Sequence, residues 1–267
     1  KMKVFVFQGG LGNQIFEYAY YQHELKKNPH LKYLFPKVKC HNGFELDKWF
    51  DVNLLEASKW QEWLYWFIVQ LKGKGLGFLA HKLIVDKDAS FSIDKYFAEG
   101  FLQSKNFLTP NFIKFRNIEL SAKNQRFLEL IENTQSIAIH IRRGDYLQPP
   151  YDAIYGGICT DEYYTQAIDI IKRNFDNPTF FVFSNDMDWV KNNLKLGNAY
   201  YIDCNTGANS PLDMFLMSKT KGLILANSTF SFWGARLNQS AKIVVYPKKW
   251  INKFAVPDIF DNEWLGL

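Results

Sequence analysis

A histidine, two arginines and an aspartate fall close together in Ser136-Ile-Ala-Ile-His140-Ile-Arg142-Arg143-Gly144-Asp145-Tyr146. Neighbouring guanidinium groups grip an anion, and a phosphate first, because the planar fork matches its oxygens two at a time. Asp145 follows the arginines at once, which leaves it two roles: a base for an incoming hydroxyl, or the arginines' structural partner. Two further stretches offer acids and hydroxyls at helix starts. Asn227-Ser228-Thr229-Phe230-Ser231 turns hydroxyls and free N–H groups toward a place where phosphate docks, although Ser or Thr capping a helix needs no ligand. Ser210-Pro-Leu-Asp213 has the spacing of a capping box, and on the residues alone that reading outranks ligand binding for Asp213. A fourth stretch, Gly9-Gly10-Leu11-Gly12-Asn13-Gln14, follows a short apolar run and resembles the turns that let backbone approach a pyrophosphate. It lacks the Gly-x-Gly-x-x-Gly spacing of the dinucleotide fingerprint, so a plain strand-to-helix turn stays open.

The elements that must position these groups are legible in the periodicity. Ile137, Ile139 and Ile141 alternate with Ala138, His140 and Arg142, the period of a β-strand whose carboxyl end carries the charged residues. In open α/β sheets ligands sit beyond the carboxyl ends of strands. From there on the chain reads as helix 161–175, strand 179–183, a helix capped by Ser184-Asn185-Asp186, strand 199–202, a helix from Ser210, strand 222–226, helix 230–238 and strand 242–246. Strands alternating with helices give βαβ units and a parallel, Rossmann-like sheet. Before it come a buried strand at 4–7, a helix at 15–26 and a strand at 31–35, then helices at 110–115 and 122–132. The division between halves is expected at 133–135, giving domains 1–134 and 135–267.

Residues 60–83 gather Trp60, Trp63, Tyr65, Trp66 and Phe67 with Lys72, Lys74 and Lys82. A core helix followed by a loop broken at Gly73, Gly75 and Gly77 is the first expectation, since aromatic helical stripes mostly pack inward. The other is a helix in a lipid interface with lysines toward anionic headgroups.

Composition bounds the classes. A chain of 267 residues, 47% hydrophobic and 22% charged, buries a full core as one large or two smaller domains. The net charge of +5 suits an anionic ligand or an acidic membrane surface and is too small and dispersed to argue for nucleic acid. Cys40, Cys159 and Cys204 form no metal spacing and read as reduced thiols of a cytoplasmic protein, and no run approaches a membrane span. The start, Lys1-Met2-Lys3, lacks a signal peptide's long apolar region.

His140-Ile-Arg-Arg-Gly-Asp-Tyr146 resembles the His-x-Arg-Arg-Gly-Asp-Tyr motif of the α1,2-fucosyltransferases of glycosyltransferase family eleven. Gly-Gly-Leu-Gly-Asn-Gln-Ile-Phe, Gly100-Phe-Leu-Gln-Ser104, Asp213-Met-Phe-Leu-Met-Ser218 and Asn227-Ser-Thr-Phe-Ser-Phe-Trp-Gly-Ala-Arg-Leu-Asn238 are similar to other motifs of that family, in its order. The resemblance implies a GT-B fold: an acceptor-side N-terminal domain, a donor-binding C-terminal domain and a cleft between two Rossmann-like units. It implies inverting transfer of L-fucose from GDP-β-L-fucose to the 2-hydroxyl of a terminal β-galactoside, without a metal, in bacterial surface polysaccharide synthesis. Gly12 and Asn13 would line the cleft near the donor, His140 and Asp213 would hold guanine, Arg142, Arg143, Ser228 and Thr229 would hold the diphosphate, and Phe230 would also bind the donor. Arg142 and Asp145 are the expected catalytic pair, with Glu17 and Asp161 as distant alternatives for the base. Phe232 and Arg236 depart from the family's tryptophans, and Arg236 is expected to add charge near the cleft. A fucosyltransferase of other regiochemistry and a non-catalytic glycan- or nucleotide-binding module are the competing readings. The partners implied are GDP-fucose and a galactose-terminated glycan, with peripheral contact at the inner membrane.

Overall fold

The computed structural model describes residues 3–36, 42–75, 84–85 and 95–267. The chain divides into two compact units, Lys1–Arg116 and Asn117–Leu267.

In the first unit four parallel strands, β1 (Val4–Val6), β2 (Lys32–Leu34), β3 (Ile84–Val85) and β4 (Phe97–Glu99), pair in the order β2-β1-β4-β3. The central strand β1 is wholly buried. Helix Leu11–Leu25 follows it, and helix Lys59–Gly73 packs Tyr65 and Ile68 against Val4, Val6 and Phe97. The stretch expected as a helix at 110–115 is a turn instead. Asn111 adopts φ +55, and Phe115 leaves the turn to bridge Phe50 and stack on its ring at 4.5 Å.

The second unit is a six-stranded parallel sheet: β5 (Ser136–Ile141), β6 (Thr179–Ser184), β7 (Ala199–Ile202), β8 (Gly222–Ile224), β9 (Ile243–Tyr246) and β10 (Leu265–Gly266). The order is β10-β9-β8-β5-β6-β7. Counted from β5, this is the 3-2-1-4-5-6 order of the doubly wound nucleotide-binding sheet. The first strand, β5, lies between β6 and β8, and the chain reverses its direction of travel across the sheet there. Ile137, Ile139 and Ile141 face a core built with helix Asp161–Asn174, whose acids stand in its first turn and whose Lys172 and Arg173 stand in its last. His140 has the opposite parity and faces away from that core.

The unit boundary lies at 116/117, not at 133–135. Helix Ala122–Asn133, capped by Ser121, belongs to the second unit because Ile131 and Asn124 are buried there, and Asn124 bonds across to Asn205. Strand β10 escaped the sequence reading, being two residues long and held by the ladder to β9. Among the described residues no helix is long and apolar enough to cross a membrane. Cys159 and Cys204 are free thiols, and Cys40 lies outside the described residues. So do Gly77 and Lys82, and with them residues 76–83, the last third of the aromatic and basic stretch 60–83.

Candidate active site

Ligands of doubly wound sheets collect where the strand order reverses, here beyond the carboxyl ends of β5 and β8. His140 sits at that end of β5, buried, with its ring 5.9 Å from the ring of Phe230 beyond β8. Burial first, and the Arg142 guanidinium second, hold its pKa down at about 3. His140 is therefore neutral at physiological pH. As a neutral ring it can offer a ligand hydrogen bonds and no charge. Its Nδ1 is buried without a partner, and so is Nε of Arg142.

The turn after β5 is tied at several points. Arg142 Nη2 donates to Asp145 Oδ2 at 2.8 Å, and the guanidinium carbon lies 5.5 Å from the Tyr146 ring centre. Tyr146 Oη donates to the carbonyl of Asn227, so this turn is bonded to the loop after β8. Asn185, at the end of β6, accepts the Arg143 N–H at 2.9 Å and donates to Asp145 Oδ1 at 3.3 Å. A Cβ at Gly144 would stand 2.5 Å from Asn185 Nδ2, so a larger residue there displaces this amide. Arg143 turns to a different partner set: its Nε donates to Asp186 at 3.3 Å, and its guanidinium lies 3.7 Å from the Trp189 ring centre. The two arginines expected to act together on phosphate thus part company in the protein.

The β8 loop reaches the same end of the sheet. Ser228 is the N-cap of helix Thr229–Arg236, its Oγ accepting the Phe230 N–H at 3.3 Å, and Thr229 and Phe230 are half-buried at the helix start. Asn227 fixes the loop by donating to the carbonyls of Tyr155 and Trp250. Phe232 is fully buried beside Trp233 and Trp264. Arg236 lies at the far end of this helix, about 10 Å from its start at 1.5 Å per residue, and pairs with Asp261 at 3.4 Å. It adds no charge to the end where Ser228 and Thr229 stand, contrary to expectation.

Asp213 is not part of a capping box. Ser210 has helical backbone angles, and its side chain makes no cap bond. Asp213 Oδ1 instead accepts from Asn205 Nδ2 at 2.8 Å, and Asn205 exchanges reciprocal amide bonds of 2.8 and 3.0 Å with Asn124. Burial pushes the Asp213 pKa up to about 7, against the pull of the Asn205 bond. Its helix, Pro211–Met217, packs closely on helix Thr229–Arg236, because Gly234 has no Cβ where one would meet Met217 at 2.9 Å.

Gly12 and Asn13 belong to the first unit. They stand in the first turn of helix Leu11–Leu25 rather than in a loop, since Gly9 at φ +75 and the extended Gly10 complete the turn before them. Asn13 Oδ1 accepts from Gln103 at 3.1 Å. Gln14 ties the segment together, donating to the carbonyls of Gly9 and Gly43 and accepting the N–H groups of Glu45 and Leu46. Glu17 is fully buried against the Gln8 N–H, its carboxyl pushed well up by burial, and Asp161 stands in the first turn of its own helix, which Thr160 caps. Asn185, Asn205, Asn124 and Gln14 were missed as positioning residues; nothing in their local sequence marks a side chain that bonds 30 to 80 residues away.

Both units are α/β with parallel sheets, and the fold is that of the GT-B glycosyltransferases. An α-1,6-fucosyltransferase, NodZ, in a structure soaked with GDP-fucose, matches at a TM-score of 0.51 over 91% of this chain and 94% of its own, at 12% identity. The ADP-heptose lipopolysaccharide heptosyltransferase II of E. coli matches at 0.50 over 100% and 90%, at 11% identity. The sequence pattern of glycosyl transferase family 11 matches residues 82–267, and the chain belongs to that family. It is 35% identical to an α-1,2-colitosyltransferase of Escherichia coli over 92% of this chain and 91% of that protein. It is 39% identical to the Escherichia coli O-antigen biosynthesis glycosyltransferase WbnK over 52% of this chain and 46% of that one. The human galactoside α-(1,2)-fucosyltransferase 1 shares 28% identity over 49% and 38%.

Proposed function

We propose that this glycosyltransferase moves L-fucose from GDP-β-L-fucose to the 2-hydroxyl of a terminal β-galactoside, with inversion, in the assembly of a bacterial surface polysaccharide such as an O-antigen. The observation that carries the donor assignment is the pair of buried, unpartnered nitrogens, His140 Nδ1 and Arg142 Nε, at the sheet's switch point. A buried polar atom left unmade costs about 1–3 kcal/mol, so two together favour a ligand that satisfies them. A nucleoside diphosphate meets that demand. Arg142 holds Asp145 through Nη2 and keeps Nε for a phosphate oxygen.

In the proposed reaction the acceptor 2-hydroxyl gives its proton to Asp145 and its oxygen bonds to C1 of fucose from the face opposite the diphosphate. The C1–O bond breaks, and its electron pair leaves with GDP. Arg142 stabilises the charge that grows on the β-phosphate, the largest electrostatic change on the path. Asp213 accepts the N1–H and 2-amino group of guanine, a pattern that adenine and uracil lack. No metal enters this scheme.

Colitose, which is fucose without its 3-hydroxyl, is the second donor sugar to consider, because the 35% identical relative is named a colitosyltransferase. The test is transfer from GDP-fucose and GDP-colitose to galactosides free and blocked at the 2-hydroxyl, with donor hydrolysis measured alongside. The proposal expects fucose transfer that fails on the 2-blocked acceptor. Transfer to the blocked acceptor would mean another regiochemistry, and binding without turnover a non-catalytic module.

A further inference from the structure

Helix Lys59–Gly73 of the first unit is fixed from one side only. Tyr65 and Ile68 are locked into the core against β1 and β4, and Leu64 and Val69 pack beside them. The opposite stripe therefore has no freedom to turn inward. On it stand Trp60, Trp63 and Phe67, 56%, 66% and 46% exposed, followed by the exposed Gln70 and, past the helix, Lys74. The positions 60, 63, 67, 70 and 74 advance by three and four, so they form one line along the axis, and the three aromatics span about 10 Å. The expectation of a core helix is met on one face and fails on the other.

We propose that this stripe docks the protein on an anionic lipid surface. A line of aromatics parallel to a helix axis enters the interfacial layer of a bilayer all at once, and indole rings favour that layer. Charge points the same way. The first 116 residues hold 17 Lys and Arg against 11 Asp and Glu, a net +6, whereas residues 117–267 hold 15 against 16, a net −1. The whole positive excess of the chain thus resides in the unit that carries the stripe, and Lys59 and Lys74 bracket it. Such a charge draws the unit toward acidic headgroups and opposes a second copy of the same unit on the same face. Sugar stacking suits the stripe less well, because Trp63 and Phe67 lie parallel, 5.6 Å apart at 12°, and each spends a ring face on the other. None of these residues belongs to the candidate active site, so the inference stands apart from the proposed reaction.

The test is flotation of the whole chain with vesicles of phosphatidylcholine alone and with phosphatidylglycerol added, at low and high salt. The inference expects binding that requires phosphatidylglycerol, falls with salt, and shifts tryptophan emission to the blue. W60S/W63S/F67S should lower the bound fraction at least tenfold with far-ultraviolet circular dichroism unchanged. If that variant fails to fold, K59E/K74E, altering only exposed side chains, should still weaken binding severalfold. Absence of vesicle binding overturns the inference, as does binding equal in wild type and both variants. Release of the bound protein by free galactosides would make the stripe a glycan platform, and a wild-type dimer that the triple variant abolishes would make it a self-association face. Either result also overturns it.

Discussion

Asp213→Asn separates stability from recognition, and the structure gives a sign for each. The Asp213 carboxyl, held by Asn205, has its pKa raised from 3.8 to about 7. A proton therefore binds the folded protein more tightly than the unfolded one. Stability is fully present below the unfolded value, falls as pH rises from about 4 to 7, and is flat above. Three pKa units correspond to about 4 kcal/mol at most, less in practice because the residue is half-buried and water reaches it. Asn carries no such penalty, so the variant should melt higher than wild type at pH 8 and lose that advantage toward pH 4. Nucleotide binding should move the other way. If the ionised carboxylate reads guanine, GDP affinity should drop about tenfold for each unit below pH 7 in the wild type. In the variant one oxygen still accepts from Asn205, and an amide N–H then faces a guanine N–H. Loss of a charge-assisted bond and the facing donors together cost about 3 kcal/mol, on the order of a hundredfold in affinity. ADP and UDP should bind both proteins alike. Calorimetry with the three nucleotides at pH 6, 7 and 8 and thermal melts at pH 4 and 8 check all of this. A GDP preference unchanged in the variant, or GDP affinity flat with pH, would refute guanine reading by Asp213.

Arg142→Ala should abolish transfer and weaken GDP binding by several kcal/mol, because it removes a phosphate donor and frees Asp145; near-normal affinity in calorimetry counts against the phosphate assignment. Asp145→Asn should keep GDP within a few fold while most transfer is lost. Joint collapse of binding and folding would make Asp145 only the partner of Arg142. Asn205→Ala should cost about 1–3 kcal/mol in a denaturant melt, since it takes both Asn205 bonds from the buried Asn124 amide, and should weaken GDP more than ADP. Gly144→Ala pushes the Asn185 amide off a 2.5 Å approach, so kcat should fall more than thermal stability.

The sequence by itself determined the repeating βαβ order of the second unit, the cluster of charged residues at the carboxyl end of β5, and the family. Those features are local: alternation of Ile137, Ile139 and Ile141, capping residues such as Thr160, and short motifs written in consecutive residues. Only the tertiary structure decided what each charged group does. Adjacent in sequence, Arg142 and Arg143 diverge because Asp145 lies three residues on, whereas Asp186 and Trp189 come from the neighbouring strand's helix. Capping-box spacing left Asp213 ambiguous until Asn205, itself held by Asn124 from a helix 81 residues away, claimed its carboxylate. His140, two residues before Arg142, is neutral because burial strips it of water. Burial and long-range hydrogen bonds depend on which elements meet, and a one-dimensional pattern of residue types does not contain that information.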